Sequence, residues 1–406
     1  MKRIAVIGGG AAGLCFAVML KNIDARSNII VFEAADRVGK KLSITGNGRC
    51  NITNLKLSSE RYHGDSELAM RLLSDFDYQK QEAFFKELGV LFVAPEDNRV
   101  YPMSLQAASV VDALRFAAAD KGVKILVGSH VEAVCRSDDG FLVSVLGQKL
   151  KFDVVVIATG GKAGGRLGSE DGYTILKSLG HKIEQLEPSI VQLKTEPQWV
   201  RQLKGVKVDA NVTITSDDGK MTDFGEVLFC DYGLSGPSIL QISRLANAKN
   251  AIVSLDLLPK VSRDELFDEV MRRVAIFKNR SVSELFTGFI NKKLGQVVLK
   301  SVGVDISTEI RYLDEKLVES IVQALKGWSF KVTGTTGFDN AQVTAGGAQT
   351  TQFFDNLMSK KCKGLFAIGE VLNVDGDCGG FNLAFAWASA SAAAKGVNHY
   401  LKDFLK

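Results

Sequence analysis

The chain has 406 residues, of which 46% are apolar and 24% are charged. This composition is that of an ordinary globular protein. The length favours two or three domains. No apolar run reaches the roughly 18 residues that a membrane span needs. Glycines interrupt the opening apolar run and no small-residue cleavage site follows, so the sequence predicts a cytoplasmic protein without a signal peptide. The net charge of +4 does not by itself indicate a polyanionic partner.

The opening segment predicts a dinucleotide-binding unit. An apolar strand at 3–7 runs into the glycine turn GGGAAG, a helix follows, and a second strand at 28–33 ends on Glu33. Gly8 permits the tight turn, Gly10 lets the backbone approach a pyrophosphate, and Gly13 lets the helix pack closely on the strand. Glu33 lies twenty residues after Gly13, where a carboxylate can hold ribose hydroxyls. By itself this pattern allows either NAD or FAD.

A loop rich in glycine and lysine follows at 36–54, and the spacing of apolar residues predicts helices at 66–89 and 104–122. Strand-like runs then lead to the turn ATGG at 158–161. From about residue 186 the runs become short and partly alternating, which predicts a small antiparallel sheet or barrel. SRDE at 262–265 and SVSE at 281–284 fit the capping box that begins a helix, and charged helical segments continue to about residue 326.

The residues after 328 again have a strand-like pattern. A buried strand is predicted at 363–370, before a glycine-rich turn and an alanine-rich C-terminal helix. Residues of a dinucleotide fold therefore occur at both ends of the chain, and the middle is interpreted as an insertion. The predicted segments are 1–190 and 328–406 for the cofactor-binding domain with a return strand, 191–260 for a barrel-like insert, and 261–327 for a helical insert.

Three glycine-rich turns follow buried strands, at 8–13, 158–161 and 369–382. A long cofactor stretched across a sheet needs backbone N–H groups at several strand ends. The last turn places Gly379, Gly380, Phe381 and Asn382 at a helix start, whose unpaired donors and positive dipole suit a phosphate or the electron-rich pyrimidine end of a reduced flavin.

Several longer motifs make the assignment more specific. They are GKKLSITGNGRCNITN, RVYPMSLQAASVVDAL, GGKAGGRLGSEDGY, GLSGPSILQ, AQVTAGGAQ and GLFAIGEVLNVDGDCGGFNLAFAWASA. In order and spacing, over almost the entire chain, they resemble the HI0933-like flavoprotein family. That family includes aminoacetone oxidase-like and bile-acid reductase-like enzymes and a ribosomal RNA dihydrouridine synthase.

The resemblance implies an α/β protein with a Rossmann-like FAD-binding domain of the two-dinucleotide-binding flavoprotein type, interrupted by a barrel-like and a helical insert. It also implies a set of residues around FAD. Those toward the adenosine and pyrophosphate are Gly8, Gly10, Ala12, Gly13, Glu33, Val131, Thr159 and Gly160. Those of the loop beside the cofactor are Lys41, Thr45, Gly46, Arg49 and Cys50. Those toward the ribityl chain and isoalloxazine are Gly369, Glu370, Asp375, Gly380, Phe381, Asn382 and Leu383.

The charges of the loop agree with this placement, because Lys40, Lys41 and Arg49 lie in a glycine-rich segment that can close over a doubly charged pyrophosphate. Lys40 can equally be a solvated surface residue. The chain departs from its relatives at two positions: Cys230 and Asp231 stand where many members have threonine and histidine, and Gln192 stands where proline is common. A shared substrate therefore does not follow from the resemblance.

The general acid or base is left open by the sequence. The candidates are Cys50, Asp231, Tyr232, His63, Tyr101 and Cys378. Cys378 lies beside a predicted helix start, which lowers the pKa of a thiol, but nearby carboxylates act in the opposite direction. A buried free cysteine is more often a small core residue, and His63 is expected in a surface loop. The six cysteines form no CxxC pair, so no metal site or disulfide framework is expected.

The leading functional hypothesis is an FAD-dependent oxidoreductase that transfers hydride through flavin N5, with NAD(P)H as a transient donor, since no second complete GxGxxG unit with its acid is evident. Reduction of an activated C=C, in a conjugated small molecule or in a uridine of ribosomal RNA, competes with O2-dependent amine oxidation. A third alternative is an RNA- or protein-binding module with a structural flavin.

The RNA alternative depends on a basic stretch at 271–304, where seven basic residues stand against Glu284, a local excess of +6. With Phe277, Phe286 and Phe289 this stretch could form a charged and stacking surface for RNA. It could equally be the solvated and core faces of one helical insert. The basic residues are Arg272, Arg273, Lys278, Arg280, Lys292, Lys293 and Lys300.

Overall fold

The computed structural model describes residues 2–95 and 98–403. The chain forms two compact units. The outer unit contains the residues up to Pro188 together with those from Gln342 onward, and the inserted unit is Ser189–Ala341.

The first segment of the outer unit alternates strands and helices. Its strands are β1 (Arg3–Ile7), β2 (Asn28–Phe32), β3 (Thr53–Asn54), β4 (Tyr62–Gly64), β5 (Phe92–Val93), β6 (Arg99–Pro102), β7 (Lys124–Leu126), β8 (Val131–Ser137), β9 (Gly140–Val145), β10 (Gln148–Phe152), β11 (Val154–Ile157) and β12 (Ile183–Ser189). Its helices are α1 (Ala11–Ile23), α2 (Lys40–Ser43), α3 (Ser66–Asp75), α4 (Tyr78–Glu87), α5 (Ala107–Asp120) and α6 (Asp171–Ser178).

The inserted unit consists of barrel strands and a group of helices. The strands are β13 (Leu193–Thr195), β14 (Lys207–Ser216), β15 (Gly219–Phe229), β16 (Gly233–Ser235), β17 (Ile252–Asp256) and β18 (Trp328–Thr335). The helices are α7 (Pro197–Val200), α8 (Pro237–Ile242), α9 (Arg263–Ile276), α10 (Lys292–Ser301) and α11 (Glu315–Gly327). The chain then returns to the outer unit through β19 (Val343–Ala348), β20 (Leu365–Ala367), β21 (Val374–Gly376) and α12 (Phe381–Asp403).

A five-stranded parallel sheet, in the order β20-β11-β1-β2-β7, forms the centre of the outer unit. Its strands are continuous apolar runs because both faces are covered: every residue of β11 and β20 is buried, and α1 buries Ala12 through Leu20. The C-terminal β20 pairs with β11, with Phe366 opposite Val156. The sheet is therefore completed from both ends of the chain, as predicted. None of the helices in the described part of the chain is long and apolar enough to cross a membrane.

The inserted unit contains a closed six-stranded barrel in the order β13-β16-β15-β14-β17-β18. Alternation along β14 buries Ala210, Val212 and Ile214, as the sequence pattern predicts for a strand with one face in a core. The helices α9, α10 and α11 lie in the chain between β17 and β18. The strand after residue 328 closes the barrel by pairing with β13 and β17.

One of the two predicted capping boxes is present. The Ser262 side chain accepts from the Glu265 backbone N–H, and the Glu265 side chain accepts from the Ser262 N–H, at the start of α9. The second prediction was wrong, because Ser281 instead accepts from Ser283 at a single 3-10 turn. Residues 281–284 match the SxxE sequence pattern, but no α-helix begins at this position.

Candidate functional site

The first glycine turn brings β1, β11 and α1 into close contact. A β-carbon at Gly8 would lie 2.3 Å from the carbonyl oxygen of Ala158, and one at Gly13 would lie 2.0 Å from the carbonyl oxygen of Gly8. Gly8 also has a φ of +108°. A side chain at either position is therefore excluded by the protein's own backbone, independently of any ligand.

Gly10 is different, because the space beside it is open. It is the N-cap of α1, and a β-carbon there would meet nothing within 4 Å. No side chain caps this helix, and its first turn contains no acidic residue. The turn therefore offers uncapped backbone donors and a positive dipole beside free space, which is the arrangement that binds a phosphate. Ala12, also on the predicted list, is buried in this first turn.

Glu33 is fixed at the end of β2 by backbone donors. Its two carboxylate oxygens accept from the N–H of Gly9, at 2.9 Å, and from the N–H of Ala35, at 2.8 Å. Each oxygen retains acceptor capacity after one such bond. The carboxylate is thus held next to the glycine turn, and its role toward ribose hydroxyls stays a prediction.

Lys41 and Glu370, which are 329 positions apart, meet in one polar network. The Lys41 ammonium lies 2.8 and 3.1 Å from the two carboxylate oxygens of Glu370. The Thr344 N–H donates to Glu370 at 2.9 Å, and the Thr344 hydroxyl accepts from the Ala163 N–H at the same distance. The network joins the loop after β2, the turn after β11, β19 and the turn after β20.

Of the three basic residues predicted to close over a pyrophosphate, only Lys41 lies in this network. Lys40 instead forms an ion pair with Asp36 at 2.7 Å. This agrees with the alternative that Lys40 is a solvated surface residue. Arg49 is exposed, with its guanidinium carbon 5.1 Å from the centre of the Tyr101 ring. Thr45 and Gly46 form the short turn before it, where the Thr45 hydroxyl donates to the Leu42 carbonyl at 2.7 Å.

The GRCNITN segment packs against the start of α12. A β-carbon at Gly380 would lie 2.4 Å from the carbonyl oxygen of Thr53, and Asn54 donates to the Gly379 carbonyl at 2.9 Å. The indole N–H of Trp387, on α12, donates to the Ile52 carbonyl at 2.9 Å. These two motifs of the family resemblance therefore form one structure, although more than 300 residues separate them in the chain.

Asn382 holds the turn between β21 and α12. Its side chain accepts from the Gly376 N–H at 2.8 Å and donates to the Gly376 carbonyl at 2.7 Å. Asp375, in β21, is 1% exposed, Phe381 is buried, and Leu383 packs against the core.

The remaining predicted cofactor residues lie at strand ends of the same unit. Val131 begins β8 with a buried side chain, and Thr159 and Gly160 follow β11 directly. Gly160 has a φ of +74° and open space where a β-carbon would lie. Gly369, with a φ of +72°, follows β20.

The Cys50 thiol is not poised for reactivity. Cys50 is fully buried, and burial raises the pKa of its thiol to about 12. A thiolate is the reactive form of cysteine, so this environment disfavours a nucleophilic or acid-base role. Cys378 is half-buried.

We expect iodoacetamide at about pH 8 to label Cys135, which is exposed, and to leave Cys50 unmodified in the native protein. The reason is that burial keeps Cys50 a protonated thiol near this pH and closes it to the reagent. Peptide mass spectrometry after timed labelling measures this directly. Modification of Cys50 as fast as that of Cys135 would show that the thiol is accessible and activated.

The expectation that His63 lies in a surface loop was wrong. His63 is in β4, directly opposite Asp375 of β21, and its Nε2 lies 2.9 Å from a carboxylate oxygen of Asp377. No local pattern predicts this pairing, because its two residues lie 314 positions apart in the chain.

The candidates Asp231 and Tyr232 lie in the inserted unit, in the turn between β15 and β16. Asp231 is exposed and pairs with Lys204 at 2.8 Å, and this hydrogen bond lowers the pKa of the carboxyl group. Desolvation, followed by the neighbouring Cys230, raises the pKa of Tyr232 to about 12. Tyr232 is therefore a phenol at neutral pH, which can donate a proton but cannot serve as a base.

The interpretation of 271–304 as a stacking surface was wrong for its aromatic residues. Phe286 is 3% exposed, and Phe277 and Phe289 pack against the core of the inserted unit. Arg272 and Arg273 both bind the carboxylate of Glu269 at 2.7 Å and hold its pKa down at about 2. The exposed members of the basic stretch are Arg272, Lys278, Arg280, Lys292, Lys293 and Lys300.

Sequence reasoning missed Thr344, Asn54 and Trp387 as residues that assemble the site. Each lies inside a motif of the family resemblance, and that was the available signal. Two further atoms of the GRCNITN segment, Asn51 Oδ1 and Thr53 Oγ1, are buried without a hydrogen-bond partner among the described residues. These two unpaired oxygens lie near the glycine turn at 369–382. Together with the open space at Gly10 and Gly160, they fit a long polar cofactor.

The class defined by this architecture is the Rossmann-like FAD-binding fold with an inserted barrel, which confirms the predicted fold class. The model of the HI0933-like protein Rossmann domain matches residues 2–396, and the chain belongs to this family. It is 36% identical to the 3-dehydro-bile acid delta(4,6)-reductase of Clostridium scindens, over 97% of this chain and 98% of that protein. It is 30% identical to the ribosomal RNA dihydrouridine synthase of Escherichia coli, over 96% of each chain.

A solved structure with the same fold is that of 3-ketosteroid-delta4-(5alpha)-dehydrogenase from Rhodococcus jostii RHA1 in complex with 4-androstene-3,17-dione. It matches with a TM-score of 0.50 and 14% identity, over 98% of this chain and 97% of that one. At this identity the match concerns the fold alone.

Proposed function

We propose that this protein is an FAD-dependent reductase of an activated carbon-carbon double bond. The observation that carries the proposal is the joining of four distant motifs by Lys41, Glu370 and Thr344. This network lies next to the uncapped first turn of α1, because a β-carbon at Gly369 would lie 3.0 Å from the β-carbon of Ala12. The two relatives described above are named for reductions, one of a bile acid and the other of uridine in ribosomal RNA. The chemistry common to them is addition of hydride and a proton across C=C.

The residues of the outer unit have distinct parts in this proposal. The N–H groups at the start of α1 would bind the pyrophosphate, with Gly10 allowing close approach, and Glu33 would hold the ribose. Lys41 would add positive charge near the pyrophosphate, while Glu370 fixes its position. Gly380, Phe381 and Asn382 would lie around the isoalloxazine. Bound FAD would supply the hydride that the substrate receives.

The electron donor in this proposal is NADH or NADPH. Stopped-flow mixing of the purified, FAD-loaded protein with each of them, without oxygen, tests the proposal. Rapid loss of the flavin absorbance near 450 nm is expected with at least one donor. If neither donor reduces the flavin while small primary amines do so and peroxide forms in air, the amine oxidase alternative replaces this proposal.

A ribosomal RNA substrate is the second candidate, and the position of two lysines favours it. Lys292 and Lys293 are exposed in the first turn of α10, which contains no acidic residue. Cations at a helix N-terminus are unfavourable to the helix, so this placement is better explained by an anionic partner than by stability. The phosphate backbone of RNA is such a partner.

We expect replacement of both lysines, Lys292→Glu with Lys293→Glu, to weaken binding of ribosomal RNA at least tenfold. The acidic residues should stabilise α10 by about 0.3–1 kcal/mol each, so lost binding could not be ascribed to unfolding. Lys220→Glu with Lys249→Glu is the matched control, because it makes the same charge change at exposed positions of the same unit. Equal affinity of both double variants in an electrophoretic mobility assay would reject a specific RNA surface on α10.

A further inference from the structure

A polar cluster on the β4 and β21 pair contains one residue of the predicted FAD set, Asp375, together with three residues that have no part in the proposed binding of FAD. The strand pairing places His63 opposite Asp375 and Tyr62 opposite Gly376. The Asp377 N–H donates to the Arg61 carbonyl, which continues the pairing by one residue. Since directly opposite residues of an antiparallel pair share a face, Arg61, His63, Asp375 and Asp377 lie on one face, and Tyr62 lies on the other.

Within this cluster, Asp377 orients the His63 imidazole. One Asp377 oxygen lies 2.9 Å from His63 Nε2, and the other lies 3.1 Å from the Arg61 guanidinium. Asp377 is 7% exposed and the His63 side chain is 24% exposed. The imidazole is thus fixed through Nε2 by a largely buried carboxylate and still reaches solvent, which suits a group that exchanges protons.

The other histidines lack this combination. Both ring nitrogens of His181 have partners within the protein, the Leu176 carbonyl and the Ser359 hydroxyl, and burial lowers its pKa. His130 binds Asp171 at 3.0 Å in the same manner as His63 binds Asp377, but it precedes Val131, at the predicted adenine end. His399 is exposed in the last turns of α12.

The cluster is directly connected to the residues proposed to surround the isoalloxazine. Asp377 lies between Asp375 and Gly380 in the chain, and the side chain of Asn382 binds the Gly376 backbone on both sides. On the opposite face, the Tyr62 hydroxyl donates to the Phe381 carbonyl at 3.0 Å. Burial raises the pKa of Tyr62, so this phenol stays protonated and does not compete for the proton.

We infer that His63, oriented by Asp377, is a redox-linked proton site: it takes up one proton from solvent when the bound FAD is reduced, and it gives up that proton to the second carbon of the double bond when the first carbon receives the hydride. This inference rests on the proposed function. Reduction of C=C consumes a hydride at one carbon and a proton at the other, whereas hydride transfer from NAD(P)H brings no additional proton. With the isoalloxazine held by Gly380, Phe381 and Asn382 as proposed, the negative charge gained on reduction would lie near His63 and would favour the imidazolium, so the proton is bound when it is next required.

The midpoint potential of the bound FAD tests this inference without any turnover. Each proton taken up with the two electrons contributes about 30 mV per pH unit, because a tenfold change in an equilibrium constant is 29.6 mV for two electrons. With His63 linked, the slope is expected to approach about 60 mV per pH unit over part of the measured pH range. The potential is measured with dithionite as reductant, so the result does not depend on NAD(P)H.

In His63→Gln the slope is expected to fall to about 30 mV per pH unit over the whole range. Glutamine keeps a donor for Asp377, and unchanged FAD content and melting temperature would show an intact fold. His63→Lys should have the same shallow slope with a higher potential than His63→Gln, because its charge is fixed. His130→Gln removes the other imidazole that is bound to an aspartate and should retain the slope of the unaltered protein.

A shallow slope in the unaltered protein, or a steep slope retained in His63→Gln, overturns the inference while leaving the proposed reductase intact. Failure of the protein to bind FAD at all would overturn the proposed function, and the inference with it. A steep slope that is also lost in His130→Gln would show that the effect is not specific to His63 and would overturn the inference.

Discussion

Replacing Gly10 with valine is expected to abolish FAD binding while leaving the protein folded. The reason is the contrast between Gly10 and its neighbours: β-carbons at Gly8 and Gly13 would collide with backbone atoms at 2.3 and 2.0 Å, whereas one at Gly10 meets nothing within 4 Å. Gly10 has a φ of −84°, which any residue adopts. The new side chain would occupy only the space that a pyrophosphate requires.

Gly10→Ala should give a graded result, with FAD affinity lowered at least tenfold, or about 1.4 kcal/mol. The cost to folding of either variant is limited to a poorer N-cap, about 1 kcal/mol. Gly327→Ala is the control, because its β-carbon would make an ordinary contact of 3.7 Å with Ser254 Oγ in the inserted unit. Calorimetric titration of apo-protein with FAD, beside thermal unfolding, separates binding from folding. Full FAD content in purified Gly10→Val would contradict the placement of the pyrophosphate.

Trp387→Ala is expected to destabilise the outer unit by about 3–5 kcal/mol. Trp387 is fully buried, lies 5.1 Å from Phe85 in an edge-to-face arrangement, and is the residue of α12 that donates to the Ile52 carbonyl. Its removal leaves a cavity and an unpaired buried carbonyl between the two motifs that assemble the site. FAD content should therefore fall together with stability.

Trp387→Phe preserves most of the packing and removes only the hydrogen bond, so we expect a smaller loss of about 1–3 kcal/mol. Urea unfolding of the apo-proteins, followed by far-ultraviolet circular dichroism, provides the comparison. Because the chain has two units, the midpoint of the outer unit's transition is the quantity to compare. Equal midpoints for Trp387→Ala and the unaltered protein would show that α12 and the GRCNITN segment do not depend on each other.

The parts of the fold that could be predicted are those that local chemistry determines. A βαβ unit is predicted by an apolar strand that is followed by Gly8, Gly10, Gly13 and a distant acid. Few other structures require these features in this order along the chain. The alternation in 207–216 similarly predicted a strand with one buried face. The other two glycine turns were also located by local patterns, as glycines that follow buried strands, and the family motifs added the part of the cofactor that each turn is expected to face.

Which distant residues of the chain pair with each other could not be predicted in the same way. The pairing of β18 with β13, the Lys41 and Glu370 ion pair, and the contact between His63 and Asp377 all join residues far apart in the chain. The pairing of Arg272 and Arg273 has a simpler, local cause. Their partner Glu269 lies just outside the basic stretch at 271–304, three and four residues earlier on the same helix face.

The cofactor preference of the apo-protein is the most direct test of the central claim that both ends of this chain form an FAD site. Calorimetric titration with FAD, FMN and NADP+ compares the candidates under one condition. FAD is expected to bind at about one per chain and at least a hundredfold more tightly than FMN or NADP+, because the α1 turn and the α12 turn would each hold a different end of it. Equal affinity for FMN, tighter binding of NADP+, or no binding of FAD would contradict the account.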